Sequence, residues 1–254
     1  MRFTSTTVAI LAQTAAVFAA PAPGQQSASA STTTAAAAAA TTSAGLSLTQ
    51  QLFIADTAAD RFKLLPKDEQ FVFDFNTPQA NPGKGGELVA ANRKTFPALV
   101  STGAGMAVGR VKPCGMNTLH VHPRSAELQI VVEGKLVTEM TPENGVLDAD
   151  GKRRVITTTI NPFQMTPFYQ GSVHTQFNPD CKDAVFVAAF ASEDFGTGQI
   201  ADETFAFTDD VLQATFGQSI DGADIDKIRS AIPASIALGV EECLTKCGIQ
   251  KRSL

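Results

Sequence analysis

The chain of 254 residues contains no tryptophan, one tyrosine, three histidines and four cysteines. Seventeen phenylalanines supply nearly all of its aromatic surface and read as packing, with an exposed carbohydrate platform as the weaker alternative. No N-x-[ST] sequon occurs, so N-glycosylation is not expected. Lysine and arginine number 20 against 25 acidic residues and form no stripe, which argues against nucleic acid as a partner. Past the N-terminus no run of ~20 apolar residues exists, so no membrane span is expected. The polar end Gln250 to Leu254 argues against a lipid anchor.

The front of the chain reads as processing and spacing. Arg2 precedes a mostly apolar run from Val8 to Ala20 that ends in small residues, as in a secretory leader cleaved after Ala19. Gly24 to Gly45 is almost entirely Gln, Ser, Thr and Ala, with too little bulky apolar surface to offset the entropy of ordering it. The expected organisation is a leader over 1–19, a low-complexity disordered linker over 20–45, a β-barrel domain over 46–207 and a helical extension over 208–254. The expected location is outside the cell, free or in the wall. Four cysteines in an exported chain imply two disulfides, with three connectivities open.

Periodicity gives the elements. Leu48, Leu52, Ala55, Ala59 and Phe62 recur at helical steps, so a helix is predicted from Leu48 to Leu65, opened by a Ser47/Gln50 capping box and ended by Pro66. The period then changes to two at Phe71, Phe73 and Phe75. Further strands are predicted at Ala107–Lys112, Thr118–His122, Glu127–Val132, Lys135–Met140, Arg154–Ile160, Val173–Phe177 and Ala184–Ala191. Many short strands between Gly, Pro and Asn turns describe an all-β barrel or double-sheet sandwich. The tail returns to helix, over Asp209–Phe216 and over Asp224–Lys246 with a kink at Pro233.

All three histidines fall in one pattern: His120-Val-His122, with Glu127 five residues on, and His174 later. In a strand, alternate residues share a face, so His120 and His122 lie about 7 Å apart at their backbones and can converge on one ion. Three imidazoles and a carboxylate form a mixed nitrogen and oxygen site that leaves two octahedral positions open. Such a set suits Mn, Fe or Ni, and Zn could bind four-coordinate.

The stretch Cys114 to Gly134 resembles the first cupin motif, and Pro167 to Asn178 resembles the second. More narrowly, His120-Val-His122-Pro-Arg-Ser-Ala-Glu127 is similar to the signature of germins and spherulins, and the similarity runs from about Leu48 to Cys247. The resemblance implies a cupin (jelly-roll) β-barrel with an N-terminal helix and a C-terminal helical clasp. It implies Mn(II) held by His120, His122, Glu127 and His174, and homo-oligomerisation. Both motifs depart from the family pattern: Cys114 stands where paired glycines open the first, and in the second Phe163 stands at the leading glycine and Tyr169 precedes Gln170-Gly171 where the family has P-x-G. In the cupin barrel the strands bearing His120 and His174 are antiparallel neighbours, which sets Cys114 against Cys181. A Cys114–Cys181 disulfide is therefore expected, leaving Cys243 to pair with Cys247.

By the same resemblance the candidate reactions are oxalate oxidation and superoxide dismutation. Asn117 would be a catalytic amide beside the metal, and a second polar position before the barrel strand would fall at about Ser101. Oxalate decarboxylation fits less well, because the relatives that perform it are two-cupin chains. The non-enzymatic alternative is a metal-stabilised wall, matrix or stress protein of the spherulin type.

Overall fold

A computed structural model describes residues 45–78, 82–233 and 235–250. The expected leader, and the expected linker up to residue 44, lie outside the described residues. The strands are β1 (Gly86–Ala91), β2 (Gly105–Val111), β3 (Gly115–Val121), β4 (Glu127–Glu133), β5 (Leu136–Thr141), β6 (Ile156–Ile160), β7 (Met165–Phe168), β8 (Val173–Phe177), β9 (Ala184–Phe190), β10 (Gly198–Gln199) and β11 (Ile236–Leu238). The helices are α1 (Leu48–Ile54), α2 (Ala58–Leu64), α3 (Ile200–Phe205), α4 (Asp209–Thr215), α5 (Gly222–Ala231) and α6 (Glu241–Cys247).

Two antiparallel sheets face each other. One runs β1-β2-β9-β4-β7 and the other β10-β3-β8-β5-β6, with β11 sharing an edge of β3 with β10. This is the all-β jelly-roll barrel expected from the sequence. Alternation fills it: in β9, Ala184, Phe186, Ala188 and Phe190 point inward while the residues between them are half-buried. Val111, Val131, Leu136, Ile160 and Phe186 form the dry end of the core. Gly109 is required there, because a Cβ at that position would meet the Phe186 ring at 2.1 Å.

Several expected elements differ. The single helix over Leu48–Leu65 is two, because the chain turns extended at Ala55 and Thr57 starts α2 by accepting a hydrogen bond from the Asp60 amide. The Ser47/Gln50 capping box is present. The alternating phenylalanines make no strand. Asp68–Phe71 is a short 3-10 turn, and Phe73 instead packs between Phe75 and Phe96, with no ladder partner. The long C-terminal helix stops at Ala231, ahead of Pro233. Ile236–Leu238 then pairs with Asn117, Met116 and Gly115 as a strand.

The disulfides also differ from expectation: they join Cys114 to Cys243 and Cys181 to Cys247. Cys114 and Cys181 do lie at one end of the β3/β8 pair, but α6 crosses that end. In a regular helix, residues four apart keep their Cβ atoms about 5–6 Å apart, too far for a bond that needs about 3.5–4.5 Å. Cys243 and Cys247 therefore each reach off α6 to the barrel. The bridges close separations of 129 and 66 residues. Bonds of that span remove about 4–5 kcal/mol each of unfolded-state freedom in the chain-entropy account.

Both departures from the family's glycines carry left-handed backbone, with φ of 58° at Cys114 and 63° at Phe163. That conformation costs a side-chain-bearing residue about 1–2 kcal/mol. Phe163 is 80% exposed and recovers little by packing. Phe163→Gly should raise the thermal midpoint by about 2–4 °C, the shift for about 1 kcal/mol in a domain this size. A lower midpoint by calorimetry would show that the ring contributes more than the strain costs.

Candidate metal centre

Three histidines come from one sheet and the carboxylate from the other. His120 lies in β3, His122 one residue past its end, His174 in β8 and Glu127 at the start of β4. All four are at least 96% buried, and one ligand-capable atom of each lies within 4.8 Å of the others. His120 and His174 are direct cross-strand partners, with ring centroids 4.2 Å apart.

The backbone sets the tautomers. His120 Nδ1 lies 2.7 Å from the Thr118 carbonyl, His174 Nδ1 2.9 Å from the Ser172 carbonyl, and His122 Nδ1 2.6 Å from the Gly196 carbonyl. A carbonyl only accepts, so each Nδ1 carries the proton and each neutral ring turns an Nε2 lone pair inward. Glu127 Oε2 sits 2.9 Å from His122 Nε2 and 3.2 Å from His174 Nε2. Lone pairs that close repel unless a proton or cation lies among them. The donor set therefore fits a divalent metal ion.

Burial pushes the His120 pKa down to about 3, helped by its neighbour His174. For Glu127, burial would raise the pKa, but in the metal-free chain protons lying between its Oε2 and the Nε2 atoms of His122 and His174 outweigh it and hold the group at about 2. Phenylalanines pack against the centre. Phe168 and Phe190 flank Glu127 on the neighbouring strands; Phe168 stacks on His174 at 4.2 Å and Phe190 meets His122 edge-on at 4.8 Å. The loop carrying Gly196 is fixed by Asp194, which pairs with Arg93 and Arg124 at 2.9 Å each.

Asn117 also reaches the centre, its Nδ2 3.4 Å from His120 Nε2. Strict alternation would put residues three apart on opposite faces. A bulge in β3 between Asn117 and His120 resets the phase and turns both inward. Ser101 does not join them. It is exposed at φ 69°, and its amide donates to Glu193. The sequence reading missed Gln129 and Gln176, two residues beyond Glu127 and His174 on the same faces. Both are buried, and Gln176 Nε2 donates to Gln129 Oε1 at 2.6 Å. Period-two spacing from Glu127 and His174 was the available signal.

A cavity of about 320 Å3 opens beside the centre, lined by Asn117, His120, His122, Glu127 and Gln176 among others. A wider groove of about 790 Å3, lined by Leu48, Leu65, Phe73 and Phe96, touches none of the four convergent residues.

The family described as Cupin matches residues 74–222. Spherulin-1A of Physarum polycephalum is 34% identical over 211 residues, covering 81% of each chain. Germin-like protein 12-2 of Oryza sativa subsp. japonica is 32% identical over 58% of this chain and 64% of its own. Among solved structures, an oxalate oxidase in complex with the substrate analogue glycolate superposes with TM-score 0.56 at 20% identity, over 64% of this chain and 81% of that one. Procruciferin, an 11S globulin from Brassica napus, gives 0.55 at 12% identity, over 65% and 40%. Structures this distant share the fold and do not choose a function.

In the unfolded chain His120 takes up a proton near pH 6.5 and Glu127 near 4.5, while the folded chain refuses them down to about 3 and about 2. The unfolded state thus holds more protons in acid. Stability of the metal-free protein should fall as pH drops from 6.5 toward 3. Urea midpoints at pH 7, 5 and 4 check this, and a flat profile would contradict it.

Proposed function

The chain belongs to the cupin family, in its germin- and spherulin-like branch, and we propose that it is an exported manganese-binding oxidoreductase. His120, His122, Glu127 and His174 would hold the ion. Mn(II) is the family's usual metal, and Fe, Ni or Zn are compatible with the donors. The observation that carries this reading is the convergence of Nε2 lone pairs on the Glu127 carboxylate, with every Nδ1 tied to a carbonyl. Bound there, the ion would supply one-electron chemistry and two positions for oxygen donors.

The residues around it favour an anion. Neutral imidazoles and one carboxylate sum to −1, so a divalent ion leaves the centre at +1 among buried side chains. Oxalate and superoxide are therefore the first substrates to test. Asn117 Nδ2 would donate a hydrogen bond to the bound anion and hold its orientation. Phe168, Phe190 and Phe195 keep bulk water away.

Two disulfides and the family resemblance support a location outside the cell. Homo-oligomers are supported by the apolar outer face of the first sheet, where Met106, Leu128 and Met165 stand exposed. A second reading is a non-catalytic, metal-stabilised matrix or wall protein. It is favoured by the greater coverage and identity of the spherulin match, and by Ser101 lying outside the cavity.

Hydrogen peroxide release from oxalate by manganese-loaded protein separates the two readings, with His174→Ala as the blank. The oxidase reading expects peroxide above the blank, and a rate about 10–100-fold lower in Asn117→Ala with its manganese retained. No peroxide and no superoxide loss from loaded protein would leave the matrix reading.

A further inference from the structure

The cavity is larger than a two-carbon dianion or superoxide needs. About 320 Å3 equals the liquid volume of about ten waters at roughly 30 Å3 each. Two oxygen donors on an ion would use about two of those. The volume sits at the low end of the roughly 300–1,000 Å3 typical of small organic ligands.

Its walls are of two kinds. One layer below Glu127, about 7 Å along the strands, Ala90, Ala107 and Ala188 stand in register on β1, β2 and β9, and the row continues into Gln129. Leu88 and Ile236 extend the apolar surface. On the facing sheet, Asn117 and Gln176 stand in register and line the cavity. The Gln129–Gln176 pair makes one hydrogen bond and leaves Gln129 Nε2 and Gln176 Oε1 buried without partners among the described residues. Such atoms cost about 1–3 kcal/mol each. Turning both amides over would still leave one donor and one acceptor open. Gln176 lines the cavity, and a hydroxyl both donates and accepts, so it can meet the open atom of Gln176 in either amide orientation.

We propose that the site takes a 2-hydroxy carboxylate with a short aliphatic body. Its carboxylate and hydroxyl oxygens would fill the two open metal positions, the hydroxyl would sit against Asn117 and Gln176, and the body would lie over Ala90 and Leu88. This rests on the metal-binding reading above and changes only its choice of substrate.

The test is calorimetric binding to manganese-loaded full-length protein of 2-hydroxyisocaproate, glycolate, isocaproate and oxalate. The proposal expects 2-hydroxyisocaproate to bind at least tenfold tighter than glycolate or oxalate, and isocaproate to bind weakly. Ala90→Leu fills the slot and should remove the advantage over glycolate. Ala90→Ser, which leaves the slot open but makes it polar, should reduce it in part. Manganese content measured on each variant reports whether the centre is formed. Equal affinity for glycolate and 2-hydroxyisocaproate would overturn the proposal and leave the metal reading standing. Binding of none of the four to loaded protein would overturn the proposal and leave the metal reading standing, and failure to load manganese would overturn the metal reading on which it rests.

Discussion

Everything at this centre depends on one electrostatic constraint: a buried carboxylate faced at close range by imidazole lone pairs. Glu127 is 2% exposed and His174 1%, so water cannot relieve the repulsion. The backbone removes the other escape. Carbonyls of Thr118, Ser172 and Gly196 hold the Nδ1 protons, so the rings cannot switch tautomer without losing hydrogen bonds of 2.6–2.9 Å. A cation among the Nε2 atoms satisfies the whole arrangement at once.

The rest of the fold serves that arrangement. Histidines on β3 and β8 are brought together by a strand pair, and Glu127 is delivered across the barrel from the other sheet. The open edge of β3 is covered by β10, which follows β9, and by β11, which the C-terminal segment supplies. The bonds from Cys243 and Cys247 tie α6 to the base of the same strands. The clasp thereby secures β11, whose Ile236 lines the cavity.

The sequence made the four convergent residues legible because metal chemistry confines such a set to few residue types at fixed spacing, and here no histidine lies elsewhere. Seven strands were legible for a similar reason, alternation of apolar residues. β1, with its small residues, and β7, with Pro167, carried no such signal. β11 was hidden inside a helical period, since Ile236 and Val240 are also four apart; pairing with β3 overrode it. The bulge that turns Asn117 inward and the path of α6 across Cys114 and Cys181 are tertiary facts. A strand register argued from the histidines could place the two cysteines at one end, yet it had no means of seeing a helix arrive between them.

The most direct test of the central claim is calorimetric titration of Mn(II) into metal-free protein, run alongside Glu127→Gln. The account predicts saturable binding of one ion per chain, with affinity falling sharply when the carboxylate becomes an amide. Absence of saturable binding in the wild-type chain, or equal affinity in Glu127→Gln, would contradict it.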